Sequence, residues 1–259
     1  RQAVETLAAS AKWEVQPHPP SSELFQHLRE HARDSGRGRD NSRGSVTEAL
    51  AAAAKKLKAT YHVPYIQHAP MEPRAAVAEW RAGKLTVWTG TQNPHGVRDQ
   101  LSQAFHIPKE AVRVVVPDTG GGFGGKHTGE CAIEAARLAR AAGKPVSLRW
   151  SRGEEFAWAY FRPAGVFDIE AGLDDRGQIT AWDFTNIEAG TAAIDTPYRV
   201  PNARVRYRAS RPLLREGSYR GIAATANNFA RECFMDELAS SAGADPVAFR
   251  IAHLDNPRL

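Results

Sequence analysis

Cysteine is scarce in this sequence, which has only Cys131 and Cys233 in 259 residues. A disulfide scaffold needs several cysteine pairs, and an iron–sulfur cluster usually takes four cysteine thiolates. The composition therefore excludes a disulfide-rich domain, and it excludes an iron–sulfur cluster held by this chain alone. Both cysteines lie among apolar residues of predicted helices, so we expect them to be buried small hydrophobic side chains.

Long apolar runs are also missing, since no stretch approaches the ~20 residues of a membrane-spanning helix. No secretory signal is visible, and the chain begins at Arg1 rather than Met, which suggests a segment of a longer precursor. The net charge of +5 permits an anionic partner without requiring one. With 42% hydrophobic and 24% charged residues, the composition is typical of a globular protein with a sizeable core.

The first 44 residues differ in character from the rest. Residues 22–32 predict a short helix capped by Ser22. The segment 33–44 has no apolar side chain and alternates glycine with arginine, so we expect a flexible linker. An alternative is that its arginines bind RNA or phosphate. We expect one domain over 45–259 to follow this N-terminal segment.

From Ser45 onward the pattern predicts an α+β fold. A capping box at Ser45 and Glu48 opens a helix that should run to about Leu57. Further helices are predicted over 94–105, 129–142 and 225–241 and from 246 onward, the third with Phe229, Ala230, Cys233 and Leu238 on one side. Strands are predicted over 60–66, 75–80, 84–89, 112–116, 146–150, 165–173, 178–188 and 203–209. Because hairpins alternate with β–α–β crossovers, we expect mixed β-sheets with helices packed on them.

The sharpest local feature is a glycine loop, GGGFGGK at 120–126, between a predicted strand and a predicted helix. Glycines let a ligand approach the backbone closely, and N–H groups before a helix favour an anion. The loop also fits a dinucleotide fingerprint, but no acidic residue for a ribose follows ~20 residues later. It fits a P-loop except that His127 replaces the Ser or Thr that should hold Mg²⁺. A purely structural turn is a further alternative.

Four other motifs stand in a fixed order around this loop. They are PYIQHAPMEP at 64–73, WTGTQ at 88–92, SYRG at 218–221 and FARECFMDELA at 229–239. Together with the glycine loop, they resemble the molybdopterin-binding large subunits of the molybdenum hydroxylases, the superfamily of xanthine dehydrogenase and aldehyde oxidase. Within this superfamily, the sequence resembles isoquinoline 1-oxidoreductase beta subunits or aldehyde dehydrogenase-like members. The resemblance covers 45–259 and implies the first half of a molybdenum-cofactor-binding domain.

The resemblance implies that a pterin dithiolene, and no protein side chain, holds the molybdenum. Gln92 is expected to hydrogen-bond an oxo ligand or a pterin arm, and Arg220 to reach the cofactor or the substrate. The glycine-loop residues expected to contact the cofactor are Gly122, Phe123, Gly124 and Gly125. His127 and Ile222 are expected in the substrate pocket. Purine-oxidising relatives carry Glu in place of His127, and many relatives carry Phe in place of Ile222. An aldehyde or an N-heterocycle is therefore the expected substrate.

The implied activity is that of an oxidoreductase that inserts oxygen from water at an electron-poor carbon with the help of a glutamate base. In the family that glutamate lies in a C-terminal region beyond Leu259. We therefore expect this segment to be inactive alone and nominate none of its glutamates as the base. The four considered are Glu130, Glu134, Glu154 and Glu155, and the first two are expected on a solvated helix face.

The implied cofactor is molybdopterin, either as such or as its cytosine dinucleotide. The implied partners are the C-terminal remainder of the subunit, a small (2Fe–2S) subunit that carries the iron–sulfur clusters, and a small-molecule substrate. No membrane segment and no nucleic acid are expected. A zinc site made by His62, His68, His95 and His127 lacks the spacing of known metal sites, and we expect His68 to pack and to form hydrogen bonds.

Glu72 is expected to bind backbone N–H groups and hold its loop. Two other functions stay open at this point. One is a non-catalytic scaffold whose glycine loop only packs against its neighbours. The other is an anion- or RNA-binding domain that uses the arginine-rich segment 33–44.

Overall fold

The computed structural model describes residues 17–34 and 41–255, together with residues 6, 9–12 and 14. The strands are β1 (Arg33–Asp34), β2 (Asn41–Arg43), β3 (Lys55–Val63), β4 (Ala75–Arg81), β5 (Lys84–Thr89), β6 (Val112–Val115), β7 (Val146–Arg149), β8 (Gly165–Leu173), β9 (Ile179–Ile187) and β10 (Asn202–Ala209). The helices are α1 (Leu24–Glu30), α2 (Val46–Ala52), α3 (Pro94–Phe105), α4 (Glu130–Ala142), α5 (Arg152–Trp158), α6 (Ala224–Ala242) and α7 (Pro246–Ala252). Short 3₁₀ helices occupy Ser21–Glu23 and Lys109–Ala111.

The larger sheet has the order β1–β10–β9–β8–β3, and β2 pairs with the same edge of β10 as β1 does. Strands β8 and β9 form a hairpin around Gly177, whose φ of +77° suits glycine. β9 and β10 run parallel. Apolar residues of β8 and β9 pack against the buried side of α6, where Trp182 stacks parallel to Phe184 and meets the ring of Phe234 edge-on at 5.7 Å. This cluster is the largest core of the molecule.

The smaller sheet has the order β6–β5–β4–β7, with β5 and β6 parallel. Helices α3 and α4 cover it. Helix α3 buries Val97, Leu101 and Phe105, which recur every four residues and so share one face. Helix α4 buries mainly alanines, whose small side chains let its backbone approach the sheet closely. The glycine loop lies between the end of β6 and the start of α4.

The α+β architecture with mixed sheets confirms the predicted fold class, and α3, α4, β8 and β9 begin and end within two residues of the predicted bounds. The predicted helix to Leu57 is wrong because α2 ends at Ala52. Residues 55–63 instead pair with β8 over nine positions, where alternating side chains suit a half-buried strand. Helix α5 was not predicted.

Three smaller expectations are also corrected. Ser22 lies inside a 3₁₀ turn and its side chain caps no helix. Both ends of the expected linker are strands, since β1 and β2 pair with β10, while residues 35–40 lie outside the described residues. The division of the chain at residue 44 stays a prediction. Cys131 is buried as expected, but Cys233 is only partly buried.

Phe229 is 46% exposed, whereas Ala230 and Leu238, predicted on the same side of α6, are fully buried. It lies against Tyr61 of β3 with ring centroids 6.0 Å apart. The buried positions of the helix include Ala226, Ala230, Phe234 and Leu238, which follow one another at four-residue spacing. One side of α6 is therefore buried, and Phe229 stands at its border.

We expect Phe234→Ala to lower the free energy of unfolding by about 3–5 kcal/mol, because it opens a cavity beside Trp182 in the main core. Phe229→Ala on the same helix is the matched control and should cost clearly less. Denaturant unfolding of both variants measures the difference. Equal losses would mean that the buried side of α6 is assigned wrongly.

Candidate functional site

The glycine loop is a tight turn whose backbone packs closely against its neighbours. Gly121, Phe123 and Gly124 have positive φ angles of 88°, 54° and 92°, and the N–H of Gly125 donates to the carbonyl of Gly122 at 2.7 Å. A Cβ on Gly124 would lie 2.9 Å from the backbone Cα of Tyr219. The loop therefore packs backbone against backbone with the SYRG turn, and this contact requires glycine at 124.

Gln92 holds the glycine loop from the side of the small sheet. Its Oε1 accepts hydrogen bonds from the N–H groups of Gly124 at 2.9 Å and Lys126 at 3.4 Å. A Cβ on Gly122 would lie 2.5 Å from the same oxygen, so the amide and the loop touch closely. The side-chain nitrogen Nε2 of Gln92 has no partner in the part of the chain that the structure describes. It is thus a donor available to a ligand.

Glu72 ties the HAPMEP segment to both ends of the glycine loop. Its Oε2 accepts from the N–H of Gly120 at 2.9 Å and from Nζ of Lys126 at 2.7 Å. Burial raises the pKa of Glu72, but these two donors outweigh burial and hold the pKa below its ordinary value. Lys126 is only 2% exposed, so its ammonium group needs this carboxylate. Glu72 therefore holds the loop as expected.

His68 connects the HAPMEP segment with the SYRG turn. Its Nε2 lies 2.6 Å from the carbonyl oxygen of Ser218, and its ring packs on Tyr160 and Tyr219. Burial lowers the pKa of His68, although the hydrogen bond to Ser218 acts in the opposite direction. A neutral ring that donates through Nε2 leaves Nδ1 as an acceptor beside Gly125, where a Cβ would lie 2.7 Å from the ring. His68 is thus a packing and hydrogen-bonding residue, as expected.

A buried ion pair lies directly beneath the loop. Nη1 of Arg74 is 2.6 Å from Oε2 of Glu155, and the side chains are 5% and 0% exposed. The other terminal nitrogen of Arg74 donates to the carbonyl of Gly125, and Tyr160 donates its hydroxyl to the carbonyl of Gly124. Arg74 was not predicted as a site residue, although it follows the HAPMEP motif directly. The pairing of Glu155 was not predicted either, because helix α5 was not predicted.

The expectation of a solvated helix face is confirmed for Glu134, which is exposed, but it is wrong for Glu130, whose side chain is only 22% exposed. Glu130 pairs with Arg215 at 2.7 Å, and the Nε1 of Trp150 donates to Glu134 at 2.8 Å. The chain after β7 and the segment before the SYRG turn both pack on the first turns of α4, so these carboxylates meet donors from each. Glu154 closes a capping box with Ser151.

Arg220 and Phe123 form the exposed rim of the site. The N–H of Arg220 donates to the carbonyl of Phe123 at 2.8 Å, and its guanidinium lies 5.8 Å from the Phe123 ring centroid. Gln92, Gly122–Gly125 and Arg220 are thus brought together. His127 is on the other side of the loop, where its N–H donates to the Tyr160 hydroxyl at 3.3 Å.

A cavity of about 360 Å³ opens beside this rim, with mainly apolar walls. Its walls include Gly190, Thr191, Ser218, Tyr219 and Ile222. Ile222 thus lines the cavity, whereas His127 is not among the described residues that line it.

Arg162 enters the same cavity and is buried. Its guanidinium donates to the carbonyl of Pro64 at 3.1 Å and lies 5.8 Å from the ring of Tyr219. Within the described residues, no carboxylate forms an ion pair with Arg162, and its Nε has no partner. A buried cation without a counter-ion can bind an anion. Nothing in the local sequence distinguished Arg162 from the other arginines of the chain.

The free donors of the site suit an anionic organic ligand. The N–H groups of Gly121, Gly122 and Phe123 donate to no other described residue. With the amide of Gln92 and the guanidinium of Arg220, they form a cluster of donors around one glycine turn. No group of three or more His, Cys, Asp or Glu side chains that could hold a metal occurs among the described residues. None of the described helices is long and apolar enough to cross a membrane.

Fold and site together define an α+β domain that offers backbone and amide donors to a bound organic cofactor. Residues 29–254 match the family of the molybdopterin cofactor-binding domain, and the chain belongs to that family. This result confirms the resemblance drawn from the five motifs. The chain is a molybdopterin-binding domain of the molybdenum hydroxylase type.

Its curated relatives are named as subunits of oxidoreductases. The chain is 30% identical to a nicotinate dehydrogenase subunit of Pseudomonas putida, covering 93% of this chain and 22% of the relative. It is 36% identical to the aldehyde oxidoreductase molybdenum-binding subunit PaoC of Escherichia coli, and the match covers 82% of this chain and 30% of the relative. The beta subunit of isoquinoline 1-oxidoreductase from Brevundimonas diminuta is 30% identical, and the match covers 74% of this chain and 28% of the relative. The chain thus spans less than a third of the length of these three relatives.

Solved structures support the same fold. Quinoline 2-oxidoreductase from Pseudomonas putida is similar with a TM-score of 0.78 at 27% identity, covering 88% of this chain and 31% of that one. Aldehyde oxidoreductase from Desulfovibrio gigas has a TM-score of 0.74 at 21% identity, and the match covers 97% of this chain and 28% of that one. The latter likeness concerns the fold alone.

We expect Glu155→Gln to lower the free energy of unfolding by about 3–5 kcal/mol, because it leaves the buried charge of Arg74 without its partner. Glu154→Gln is the matched control. It alters the exposed capping box of the same helix and should cost about 1 kcal/mol. Denaturant unfolding of both variants at neutral pH tests this, and similar losses would contradict the central place of the ion pair.

Proposed function

We propose that this chain supplies the glycine-loop side of the cofactor site in an enzyme that oxidises an aldehyde or an N-heterocycle with oxygen taken from water. The observation that carries the proposal is the cluster of unpaired donors at the loop, in a chain of the molybdopterin-binding family. Bound molybdopterin supplies a two-electron redox centre and activates oxygen derived from water. The residues of this chain bind and orient that group.

Each site residue has a defined part in this proposal. The amide nitrogen of Gln92 donates to the cofactor while its oxygen keeps the loop closed. The backbone of Gly122–Gly125 offers N–H groups and lies close to the ligand, since no Cβ occupies the space at the three glycines of this run. Arg220 donates from the rim, and the ring of Phe123 beneath it limits the positions of its guanidinium.

The complete enzyme needs more than this chain in our proposal. The catalytic glutamate lies in a further part of the same subunit, and a separate subunit carries the iron–sulfur clusters. The names of the relatives support such a division, because each is called a subunit. The cofactor is molybdopterin or its cytosine dinucleotide, and the isolated segment is inactive.

We expect Gly124→Ala to reduce the molybdenum and pterin content of the protein at least tenfold when it is expressed with its partner subunits. The added Cβ would meet the backbone of Tyr219 at 2.9 Å, and φ at this position is +92°. The measurement is metal analysis by mass spectrometry together with pterin fluorescence after release.

Gly153→Ala is the matched control for this experiment, because its nearest neighbour would lie at 3.8 Å and its φ is not positive. It should keep full molybdenum content. If the wild-type protein carried no molybdenum, the proposed function would be wrong and a scaffold function would remain. If Gly124→Ala kept a normal molybdenum content, the glycine loop would not be part of the cofactor site.

The cavity beside the loop is the proposed substrate pocket. A planar ring suits its largely apolar walls, and the guanidinium of Arg162, which has no counter-ion among the described residues, suits a carboxylate on that ring. Ile222 contributes a wall and no stacking surface. An N-heterocyclic carboxylate is therefore the substrate class that these residues fit.

We expect Arg162→Met to raise KM for nicotinate about 10–100-fold, because one charge-assisted contact is lost. KM for the uncharged nicotinamide should change less than threefold, and kcat with either substrate should stay similar. Steady-state kinetics of the holoenzyme measures both. An equal rise for the two substrates would refute carboxylate binding by Arg162.

A further inference from the structure

One wall of the cavity beside the glycine loop is a stretch of chain without regular secondary structure. We call residues 188–197, which follow β9, the wall loop. Its members Ala189, Gly190, Thr191 and Ala192 line the cavity. The other walls include the SYRG turn and the start of α6. The shape of the cavity therefore depends on what holds the wall loop in place.

The backbone of the wall loop is strained. Glu188 and Ala193 have φ angles of +72° and +54°, in the left-handed region that side chains other than glycine rarely adopt. Gly190 has a φ of +91°, and a Cβ there would lie 3.1 Å from the Cβ of Ala223, just before α6. Such conformations persist only where the surrounding structure fixes them. Here the fixing groups are side chains of α6 and β9.

Asn227 of α6 is fully buried and faces the wall loop. Its Nδ2 donates to the carbonyls of Gly190 at 3.1 Å and Ala192 at 2.9 Å. Because carbonyl oxygens can only accept, the side-chain atom next to both of them must be the amide nitrogen. The orientation of the amide is thus fixed by its partners, and it holds two positions of the wall loop at once.

Asn186 of β9 completes a buried pair of amides. Its Nδ2 donates to Oδ1 of Asn227 at 2.7 Å and to the carbonyl of Gly190 at 2.8 Å. Its Oδ1 accepts the N–H of Ala189 at 3.1 Å. All N–H groups of the two amides therefore have an acceptor. An apolar side chain in place of either amide would take a hydrogen-bond partner away from the wall loop.

Arg231 lies one helical turn further along the same side of α6. Its Nη1 donates to the carbonyls of Ala193 and Asp195, both at 3.1 Å. The side chain is buried, and its remaining nitrogens contact Oε1 of Glu232 at 3.0 Å and the side chain of Asn228. The guanidinium is therefore held in a position from which it reaches the second half of the wall loop.

We propose that Asn227 and Arg231 are positioning residues of the pocket, which hold four carbonyl groups of the wall loop from one side of α6 and so set the shape of the wall. That the pocket takes the substrate rests on the proposed function above. The hold on the wall loop does not, because it depends only on these contacts. In the proposed function the wall meets the ring of the substrate, whereas the glycine loop binds the cofactor.

The test compares two variants of adjacent residues in the protein expressed with its partner subunits. Asn227→Asp keeps the size of the side chain but replaces both donors by an oxygen that faces two carbonyls. Asn228→Asp is the matched control, because it makes the same chemical change in an exposed side chain. Its Oδ1 accepts from Arg231, and an aspartate keeps that contact.

Hydrogen–deuterium exchange measures the hold on the wall loop directly. The N–H groups of Ala189 and Ile194 are hydrogen-bonded in the wild type. Asn227→Asp should speed the exchange of these two amides at least tenfold, because the wall loop opens locally more often. Asn228→Asp should change it less than about threefold. Residue-resolved fragmentation of the peptide over 188–197 provides the measurement.

Steady-state kinetics of the holoenzyme tests the role in the pocket. Asn227→Asp should raise KM for nicotinate and for nicotinamide by the same factor, about tenfold, because the wall meets the ring that both share. The value of kcat should stay similar, and molybdenum content should equal that of the wild type. This result would differ from that of Arg162→Met, which affects nicotinate alone. A residue that only stabilises the fold would leave both KM values unchanged.

Arg231→Met is the second variant and decides the test if Asn227→Asp does not fold. It removes both contacts of Arg231 with the wall loop, so the amide of Ile194 should exchange at least tenfold faster and both KM values should rise together. Arg231→Lys keeps the charge and a donor on a side chain of similar length. It should restore part of the wild-type exchange and KM.

The proposal is overturned if neither Asn227→Asp nor Arg231→Met speeds exchange in the wall loop, or if exchange rises while both KM values stay unchanged. It is also overturned if Asn228→Asp has the same effects as Asn227→Asp. A wild-type protein that carries no molybdenum would instead count against the proposed function. The exchange measurement needs neither cofactor nor substrate, and it would then decide alone whether α6 holds the wall loop.

Discussion

Arg74 carries a full positive charge into the interior, where its guanidinium contacts the Glu155 carboxylate and the Gly125 carbonyl. Separating these groups inside the protein would leave buried charges without partners, which costs several kcal/mol. The start of β4, helix α5 and the glycine loop must therefore keep one relative position. The contacts of Gln92 and Tyr160 with the loop require the backbone position that this ion pair holds.

The binding surface that results consists largely of main chain. Backbone N–H groups keep their chemistry whatever the side chain, so the site depends on the shape of the turn more than on the identity of its residues. Glycine is the exception because at positions 122 and 124 any Cβ would strike a neighbour. This dependence explains why a run of glycines is the most visible feature of the sequence in a family that binds a large organic cofactor.

Much of the fold could be predicted because α3, α4 and the β8–β9 hairpin carry their own periodicity and end signals. The first half of strand β3 could not, since no glycine or proline separates it from the helix before it and only pairing with β8 decides its state. Within the site, the glycine loop, Gln92 and Glu72 could be predicted because they belong to motifs that the sequence shows. The contact of Arg74 with Glu155 joins residues 81 positions apart, and no local pattern encodes such a pair.

The two short strands β1 and β2 lie along the outer edge of β10, covering it at both ends. An uncovered edge strand offers unpaired N–H and C=O groups to any other extended chain. Because these strands lie within the arginine-rich segment 33–44, a part of the sequence without apolar side chains shields the edge of the larger sheet. A chain without β1 and β2 would thus expose the edge of β10 to strand-to-strand aggregation.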